Sequence, residues 1–198
     1  MTVYAFWNNK GGTGKISLAF QSICEYARRH QERSILVIDA CPQANLSELL
    51  LGGLLGRGSA NLASLHEDSR VRRTIGGYFQ TRLPSPFSFG QLDADSFVVR
   101  PNEFNRTIPR NVSLLAGDQV LELQANSINT LANTQIPGAN TWISVIDWLR
   151  DFLDACGDLY DDTFVDANPS FAVYTQISLS IADELIIPVM ADDSSRRA

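Results

Sequence analysis

The sequence predicts an α/β fold in which helices flank a mostly parallel β-sheet, and three observations lead to this prediction. Short continuous apolar runs at 3–8 and 34–39 are typical of strands that are buried on both faces. A glycine-rich turn and a segment with helical periodicity lie between them, so the chain opens as strand, loop, helix and strand. The same strand–helix–strand pattern recurs near the end, where apolar runs at 162–166 and 185–190 enclose a helical segment at 171–182.

The first half of the chain contains one clear helix and one segment that is hard to interpret. From Lys15 to about His30 the apolar positions approximate one helical face, and arginines follow at its C-terminal end. A leucine-rich helix is predicted at 46–55, although glycines at 52, 53, 56 and 58 interrupt the pattern. Residues 54–111 mix Arg, Gly, Pro and Phe without a sustained period, so we expect an irregular insertion with one or two short helices there.

The second half is more regular. A strand is predicted at 112–116 and a helix at 119–134, which Pro137 and Gly138 end. Thr141 is expected to cap a further amphipathic helix. Large apolar side chains recur along that helix at a spacing that favours the protein core over a cofactor site: Trp142, Trp148 and Phe152.

Composition excludes several classes of protein. The 198 residues carry 16 basic and 22 acidic side chains, a formal charge of −6, which argues against a surface coated by nucleic acid but leaves a local basic patch open. No apolar run approaches the roughly 20 residues that cross a bilayer. The N-terminus lacks the pattern of a signal peptide, and three widely spaced cysteines fit a reducing compartment. We therefore expect a cytoplasmic protein with no membrane segment.

The lysines mark a candidate site. Of the 16 basic side chains 14 are arginines, and the two lysines, Lys10 and Lys15, both lie in the glycine-rich turn. Glycines allow backbone N–H groups to approach phosphate oxygens, and the N-terminus of the following helix adds partial positive charge. Lys15 would supply a mobile charge for the outer phosphates. Considered without the lysines, the glycines are equally consistent with an ordinary turn between a strand and a helix.

Four segments, in order along the chain, carry a resemblance to a known family. Residues 10–15, KGGTGK, resemble the deviant Walker A motif of the ParA/MinD ATPases. Residues 37–47 are similar to the family's D-x-D-P-Q-G-N segment, and 163–171 to its Walker B strand and switch II. Residues 182–198 resemble the strand and Arg-bearing helix that follow. The resemblance covers about the first 50 and the last 40 residues and implies a P-loop NTPase-like fold.

The resemblance also implies a domain organisation. It predicts that residues 1–198 form a single P-loop ATPase domain that carries the insertion at about 54–111. The family continues beyond the point where this chain stops, so we expect the C-terminal part of its fold to be missing here. Part of the family's base pocket and DNA surface lies in that missing portion.

The resemblance implies roles for individual residues. Lys10, Lys15 and Asp39 would be catalytic, with Lys10 reaching the phosphates of the partner in a dimer. Asp39 and Asp166 would hold Mg²⁺, and carboxylates at neighbouring strand ends independently suit that position. Binding of ATP or ADP would involve one continuous run of residues: Lys10, Gly11, Gly12, Thr13, Gly14, Lys15, Ile16 and Ser17.

At the level of function, the resemblance implies a partitioning or positioning ATPase. ATP would close a homodimer, the dimer would bind DNA nonspecifically, and a partner protein would stimulate hydrolysis to release it. Arg196 and Arg197 are the candidate C-terminal DNA contacts.

Two residues depart from the family pattern at chemically important positions. Ile16 stands where the family has a Thr or Ser that binds Mg²⁺, and Ser17 is rotated by about 100° from that position on a helix. Cys41 replaces the second Asp of the D-x-D segment, which positions the attacking water. One interpretation is a nucleotide-binding switch with little or no hydrolysis. The other is that Ile16 is a sporadic or engineered change in an active ATPase.

The remaining polar residues are interpreted as structural. Cys41 is interpreted as a plain replacement rather than a redox or metal residue, since no partner cysteine is nearby. His30 and His66 are expected at a helix end and on the surface. The arginines at 70, 72 and 73 are expected on a solvated helix face, with contact to phosphate or a partner as the alternative.

Overall fold

The computed structural model describes residues 1–10, 12–66, 72–88 and 90–189. Six strands form one sheet in the order β3-β4-β2-β5-β1-β6, and every pairing is parallel except that of β3 with β4. The predicted mostly parallel sheet is therefore confirmed. The strands are β1 Thr2–Phe6, β2 Ile35–Asp39, β3 Val98–Val99, β4 Val112–Leu115, β5 Asp162–Asp166 and β6 Glu184–Ile186.

Helices connect the strands and cover both faces of the sheet. Short 3₁₀ turns lie at Ala94–Phe97 and Gly157–Leu159. In the part of the chain that is described, no helix is long and apolar enough to cross a membrane. The α-helices are α1 Lys15–Arg29, α2 Asn45–Leu50, α3 Gly58–His66, α4 Ile75–Arg82, α5 Pro101–Phe104, α6 Val120–Ala132, α7 Thr141–Ile146, α8 Trp148–Cys156 and α9 Val173–Leu179.

The alternation of side chains along the strands creates one hydrophobic core on each face. In β2, Ile35 and Val37 pack with residues of α1, α2 and α3. Leu36 and Ile38 point to the opposite face and pack with residues of α4 and α6 to α9. Both faces of this central strand are buried, which explains why its sequence is a continuous apolar run.

The strand register brings three loops to one edge of the sheet. Asp166, the last residue of β5, pairs with both Phe6 at the end of β1 and Asp39 at the end of β2. All three strands run in the same direction, so the loops that follow them leave the sheet side by side. The open edge of an α/β sheet beyond the carboxyl ends of its strands is where such folds bind ligands.

Two expectations about the first half of the chain need correction. The predicted helix at 46–55 ends at Leu50, because Gly52 and Gly53 take φ angles of 134° and 57° that a helix does not allow. The segment 54–111 is also more regular than expected. It contains α3, α4 and α5, and β3 adds to the edge of the sheet.

The helix predicted after Thr141 is divided, and its cap is a different residue. Asn140 caps α7 by accepting a hydrogen bond from the N–H of Ile143, whereas Thr141 donates to the carbonyls of Ala132 and Thr134. A turn at Asp147 separates α7 from α8.

The core expectation for these helices holds for two of its three aromatic residues. Trp148 and Phe152 are fully buried, but Trp142 is 39% exposed. Trp142 lies in α7, whereas Trp148 and Phe152 lie in α8, so the three aromatic residues do not share one helical face.

Gly117 lets the end of β4 approach the loop after β2 closely. A Cβ at this position would lie 2.8 Å from both the carbonyl oxygen of Cys41 and the Cβ of Ala44. The N–H of Gly117 donates to Ser47 Oγ at 2.9 Å across the same contact. The backbone contact therefore requires a residue without a side chain.

We predict that Gly117→Ala lowers the free energy of unfolding by about 1–3 kcal/mol, since the added methyl group overpacks a backbone contact. Gly90→Ala is the matched control, because no atom lies within 4 Å of a Cβ there. The control should change stability by no more than about 0.5 kcal/mol. Urea unfolding followed by circular dichroism measures both, and equal effects would contradict the contact.

Candidate functional site

The glycine-rich turn after β1 is open above its backbone. Gly12 and Gly14 both have φ of +76°, and nothing lies within 4 Å of a Cβ built on either of them. Gly14 precedes the first residue of α1, whose first turn contains no acidic side chain. Backbone N–H groups in such a turn, together with the helix N-terminus, form a favourable environment for an anion.

A cleft of about 340 Å³ lies against this turn. It brings together seven of the eight predicted nucleotide-binding residues, and Gly11 lies outside the described residues. Its walls also include residues from the loops after β2 and β5, as the strand register requires. The lining residues are Lys10, Gly12, Thr13, Gly14, Lys15, Ile16, Ser17, Cys41, Gln43, Asn45, Asn168 and Pro169.

Lys15 connects the turn to the end of β5. Its side chain is 9% exposed, and its ammonium group forms an ion pair with Asp166. The same group donates a hydrogen bond of 2.8 Å to the carbonyl oxygen of Ala167. Cys41 Sγ lies 4.0 Å from Lys15 Nζ. The lysine thus neutralises a buried carboxylate in this structure.

Asp39 is fully buried and held by three hydrogen bonds. Its Oδ1 accepts from the N–H of Cys41 at 3.1 Å, and its Oδ2 accepts from the N–H and the hydroxyl of Ser47 at 2.9 and 2.7 Å. Because the Ser47 hydroxyl also accepts from the N–H of Gly117, the end of β2, the first turn of α2 and the loop after β4 are linked at this point. Sequence reasoning missed Ser47, whose signal is a hydroxyl residue in the first turn of a helix after an Asp-bearing strand.

Burial raises the pKa values of Asp39, Cys41 and Asp166, and neighbouring negative charge adds to the shift at Asp39 and Cys41. Burial, reinforced by the negative charge of Asp166, raises the pKa of Asp39 to about 6, although the hydrogen bonds from Ser47 and Cys41 oppose the shift. Burial also raises the pKa of Asp166, and Lys15 offsets part of this effect. The pKa of the Cys41 thiol is raised strongly by burial and by the two carboxylates. Cys41 is therefore a neutral thiol at physiological pH.

The donor atoms fit a cation. One oxygen each from Asp39 and Asp166 and the sulfur of Cys41 lie within 4.8 Å of one another, and all three residues are buried. Two buried carboxylates with one lysine leave negative charge that a divalent ion would neutralise. The predicted proximity of Asp39 and Asp166 is thus present in the structure.

The two residues after Lys15 both line the cleft, and they differ in polarity. Ile16 is half-buried and packs against the core that contains Phe6. Ser17 is exposed and lies beside Ile16 on the cleft wall. Position 16 therefore presents an apolar side chain to the cleft.

Asn168 is a second residue that sequence reasoning missed. Its side-chain amide donates to the hydroxyls of Ser170 and Tyr174, at 3.0 Å each. These bonds fix the loop after β5 against the start of α9. The position of Asn168 two residues after Asp166 could have signalled this role.

The arginines around position 72 do not form a solvated face. Arg72 forms an ion pair with Asp118, which is completely buried, and Arg73 donates to the carbonyl of Val98 at 2.9 Å. Burial would raise the pKa of Asp118, but hydrogen bonds from Arg72 and Thr74 lower it below its ordinary value. Arg70 lies outside the described residues.

The two histidines take different positions. His30 follows α1 and its side chain is 43% exposed, as expected for a helix end. His66 is less accessible than expected, since its side chain is 22% exposed and its Nε2 lies 4.0 Å from Asp118.

Comparisons of fold give three related structures. A protein from Corynebacterium diphtheriae has 25% identity and a TM-score of 0.73, over 100% of this chain and 63% of its own. A variant of McdA from Cyanothece in complex with ATP has 19% identity and a TM-score of 0.67, over 100% and 59%. A putative plasmid partition protein from Borrelia burgdorferi B31 bound to AMPPNP has 18% identity and a TM-score of 0.64, over 99% and 65%. The chain spans less than two thirds of each of these proteins.

Comparisons of sequence give a family but no individual relative. No curated protein is significantly similar to the chain. The family described as AAA domain matches residues 1–197. Together with the fold shared with McdA and the plasmid partition protein, this match confirms the resemblance to the ParA/MinD ATPases. Since the match extends over nearly the entire sequence, the chain belongs to the AAA-domain family.

Proposed function

We propose that this chain is a ParA-like ATPase domain that binds ATP or ADP with Mg²⁺ in the cleft at the glycine-rich turn. The observation that carries the proposal is the position of Lys15 between the open turn and Asp166. A buried lysine beside an open glycine-rich turn, with two carboxylates behind it, is suited to binding the phosphates of a nucleotide. The similar folds solved with ATP and AMPPNP support the same ligand class.

Different residues of the cleft bind the phosphates and the metal ion. The backbone of the turn receives the phosphate oxygens, and Lys15 leaves Asp166 to pair with them. Asp39 and Asp166 hold Mg²⁺, which supplies positive charge beside the phosphates when it is bound. Ser47 keeps Asp39 in place for this role through its two hydrogen bonds.

The proposed biological role is an ATP-dependent switch in plasmid or chromosome partitioning, or in the positioning of another cargo. Lys10 reaches the phosphates of a second copy and so couples ATP binding to homodimer formation. The dimer binds DNA nonspecifically through C-terminal basic residues, among them Arg196 and Arg197, which lie outside the described residues. A partner protein stimulates hydrolysis in the cytoplasm and releases the dimer from DNA.

A nucleotide-gated binding module with little or no hydrolysis is the second candidate. Two observations favour it. Cys41 is a neutral thiol where an ionised acceptor would orient the attacking water, because burial and two carboxylates raise its pKa. Ile16 presents an apolar side chain to the cleft. Contacts of phosphate with backbone N–H groups depend on neither residue, so binding would persist where turnover fails.

We predict that the chain binds ATP and ADP, and that Lys15→Ala weakens ATP binding at least about tenfold, a loss of roughly 1.4 kcal/mol from one charged contact. Lys10→Ala changes the other lysine of the turn, whose proposed contact is with the phosphates of the second copy. It should retain ATP binding within about threefold but lose ATP-dependent dimerisation. Calorimetric titration, with sedimentation of the same samples, measures both effects. Failure of the native chain to bind either nucleotide would contradict the proposal.

We also predict that single-turnover hydrolysis of ATP by the native chain is slow and that Ile16→Thr raises its rate at least about tenfold, since the new hydroxyl adds a hard ligand for Mg²⁺. Cys41→Asp tests the second departure, because it restores a carboxylate beside Asp39. Ile16→Val is the control for a change of size without a hydroxyl. If Ile16→Thr, Cys41→Asp and the double variant all stay at the native rate while binding ATP, the binding-module interpretation replaces the ATPase.

A further inference from the structure

We propose that a second cleft, at the amino ends of β2 and β4, binds a small zwitterion that carries a phosphate or carboxylate group and an ammonium group. This site goes beyond the proposed function and does not depend on it. The cleft has a volume of about 330 Å³, and among the described residues it shares none with the cleft at the glycine-rich turn. Sites for small molecules have volumes of about 300–1,000 Å³, so this cleft is large enough for a small ligand.

The strand directions separate the second cleft from the proposed nucleotide site. Ser34 and Asn111 line the second cleft and lie immediately before β2 and β4. The proposed nucleotide site instead lies beyond the carboxyl ends of β1, β2 and β5. The five residues of β2 span roughly 15 Å, so a small ligand in one cleft does not contact the other.

The second cleft is lined by charged groups of both signs, although the chain as a whole is acidic. Three arginines reach it from the connections before α4, before α5 and before β4, and two carboxylates accompany them. These groups give the lining a net charge of +1, whereas the chain has a formal charge of −6. The charged lining residues are Arg73, Asp95, Arg100, Glu103 and Arg110.

The charged groups of this lining do not neutralise one another. Within the part of the chain that the structure describes, none of the five forms an ion pair within 4.0 Å. Arg73 donates to the carbonyl oxygen of Val98, but the side chains of Arg100 and Arg110 have no hydrogen-bond partner among the described residues. A ligand with charges of both signs could therefore pair with both sets of groups.

Tyr160 adds a hydroxyl to the interior of the second cleft. It is half-buried, as are Arg73 and Ser113, whereas the other four charged lining residues are exposed. Burial raises the pKa of Tyr160, and Ser113 opposes the shift through a hydrogen bond. Asp95 raises this pKa further and Arg100 lowers it, so both charges lie near the hydroxyl. A ligand that reaches the neutral phenol therefore meets a carboxylate and a guanidinium group.

The chemistry of the lining determines the class of ligand. A guanidinium group is planar and can donate two parallel hydrogen bonds to one phosphate or carboxylate group. The arginines therefore suit the anionic end of the ligand, and the carboxylates of Asp95 and Glu103 suit an ammonium group. An anion without the ammonium would bind beside two carboxylates that repel it, so the cleft selects the zwitterion.

Two pairs of ligands test this selection. Glutamate and O-phosphoserine carry the ammonium, whereas glutarate lacks it and 3-phosphoglycerate has a hydroxyl in its place. We expect at least one zwitterion to bind the full chain with a Kd below about 1 mM, at least about tenfold more tightly than its counterpart without the ammonium. The pair that shows the difference identifies the anionic group as carboxylate or phosphate. Calorimetric titration measures all four, and equal affinities within both pairs, or no binding, would overturn the proposal.

Substitution of single arginines tests the location of the site. Arg100→Gln and Arg110→Gln should each weaken binding of the preferred zwitterion at least about tenfold, because each removes a charged contact. Arg106→Gln is the matched control, since Arg106 is exposed on the same connection as Arg110 but does not line the cleft. Native affinity in both cleft variants, or an equal loss in the control, would place the ligand elsewhere and overturn the proposal.

Substitution of the carboxylates tests the contact with the ammonium group. In the double variant Asp95→Asn, Glu103→Gln, the preference for the zwitterion over its counterpart should decrease at least about tenfold. An unchanged preference would contradict the assigned contact. ATP binding should stay at the native level in this variant, because neither residue lines the nucleotide site.

A measurement on the native chain decides the question if a variant does not fold. Phenylglyoxal modifies accessible arginines, and mass spectrometry of the digested chain follows each one. The preferred zwitterion should slow the modification of Arg100 and Arg110 but leave that of Arg106 unchanged. Equal rates with and without the ligand would overturn the site.

Discussion

The ion pair between Lys15 and Asp166 is the interaction on which the candidate site depends. It joins the first residue of α1 to the last residue of β5, across 151 positions of sequence. The pair exists because β1 and β5 are parallel neighbours, so the loop that leaves β1 passes over the end of β5. It holds the glycine-rich turn against the sheet and leaves the space above Gly12 and Gly14 open.

The same pair compensates for a cluster that would otherwise destabilise the fold. Burial raises the pKa of Asp39 from 3.8 to about 6, so the folded chain binds that proton more tightly than the unfolded chain does. The contribution of Asp39 to the free energy of unfolding therefore decreases as the pH rises from 3.8 to about 6. At neutral pH its ionised form does not stabilise the fold. Hydrogen bonds from Ser47 and one lysine offset part of this cost. Such a strained electrostatic arrangement is typical of a ligand site.

Much of the architecture was predictable because its signals are local. The apolar run of β2 and the amphipathic pattern of α1 are properties of consecutive residues, and both elements formed within one or two residues of the expected positions. The glycines at 52 and 53 interrupt the leucine-rich pattern in the sequence, but only their positive φ angles in the structure show that the helix ends at Leu50. Trp142 was misplaced because the pattern was extended through Asp147, where the helix divides.

The sequence by itself determined the chemistry available at the site: a glycine turn that carries both lysines, acidic residues after two apolar strands, and the unusual Ile16 and Cys41. Only the tertiary structure decided which of these groups meet. It paired Lys15 with Asp166, placed Ser47 beneath Asp39, and brought the Cys41 sulfur to 3.7 Å from an oxygen of Asp166. The physical reason is that sequence patterns record local periodicity and side-chain type. Which side chains meet depends instead on the order and register of the parallel strands. Crossover connections between distant segments of the chain establish that order.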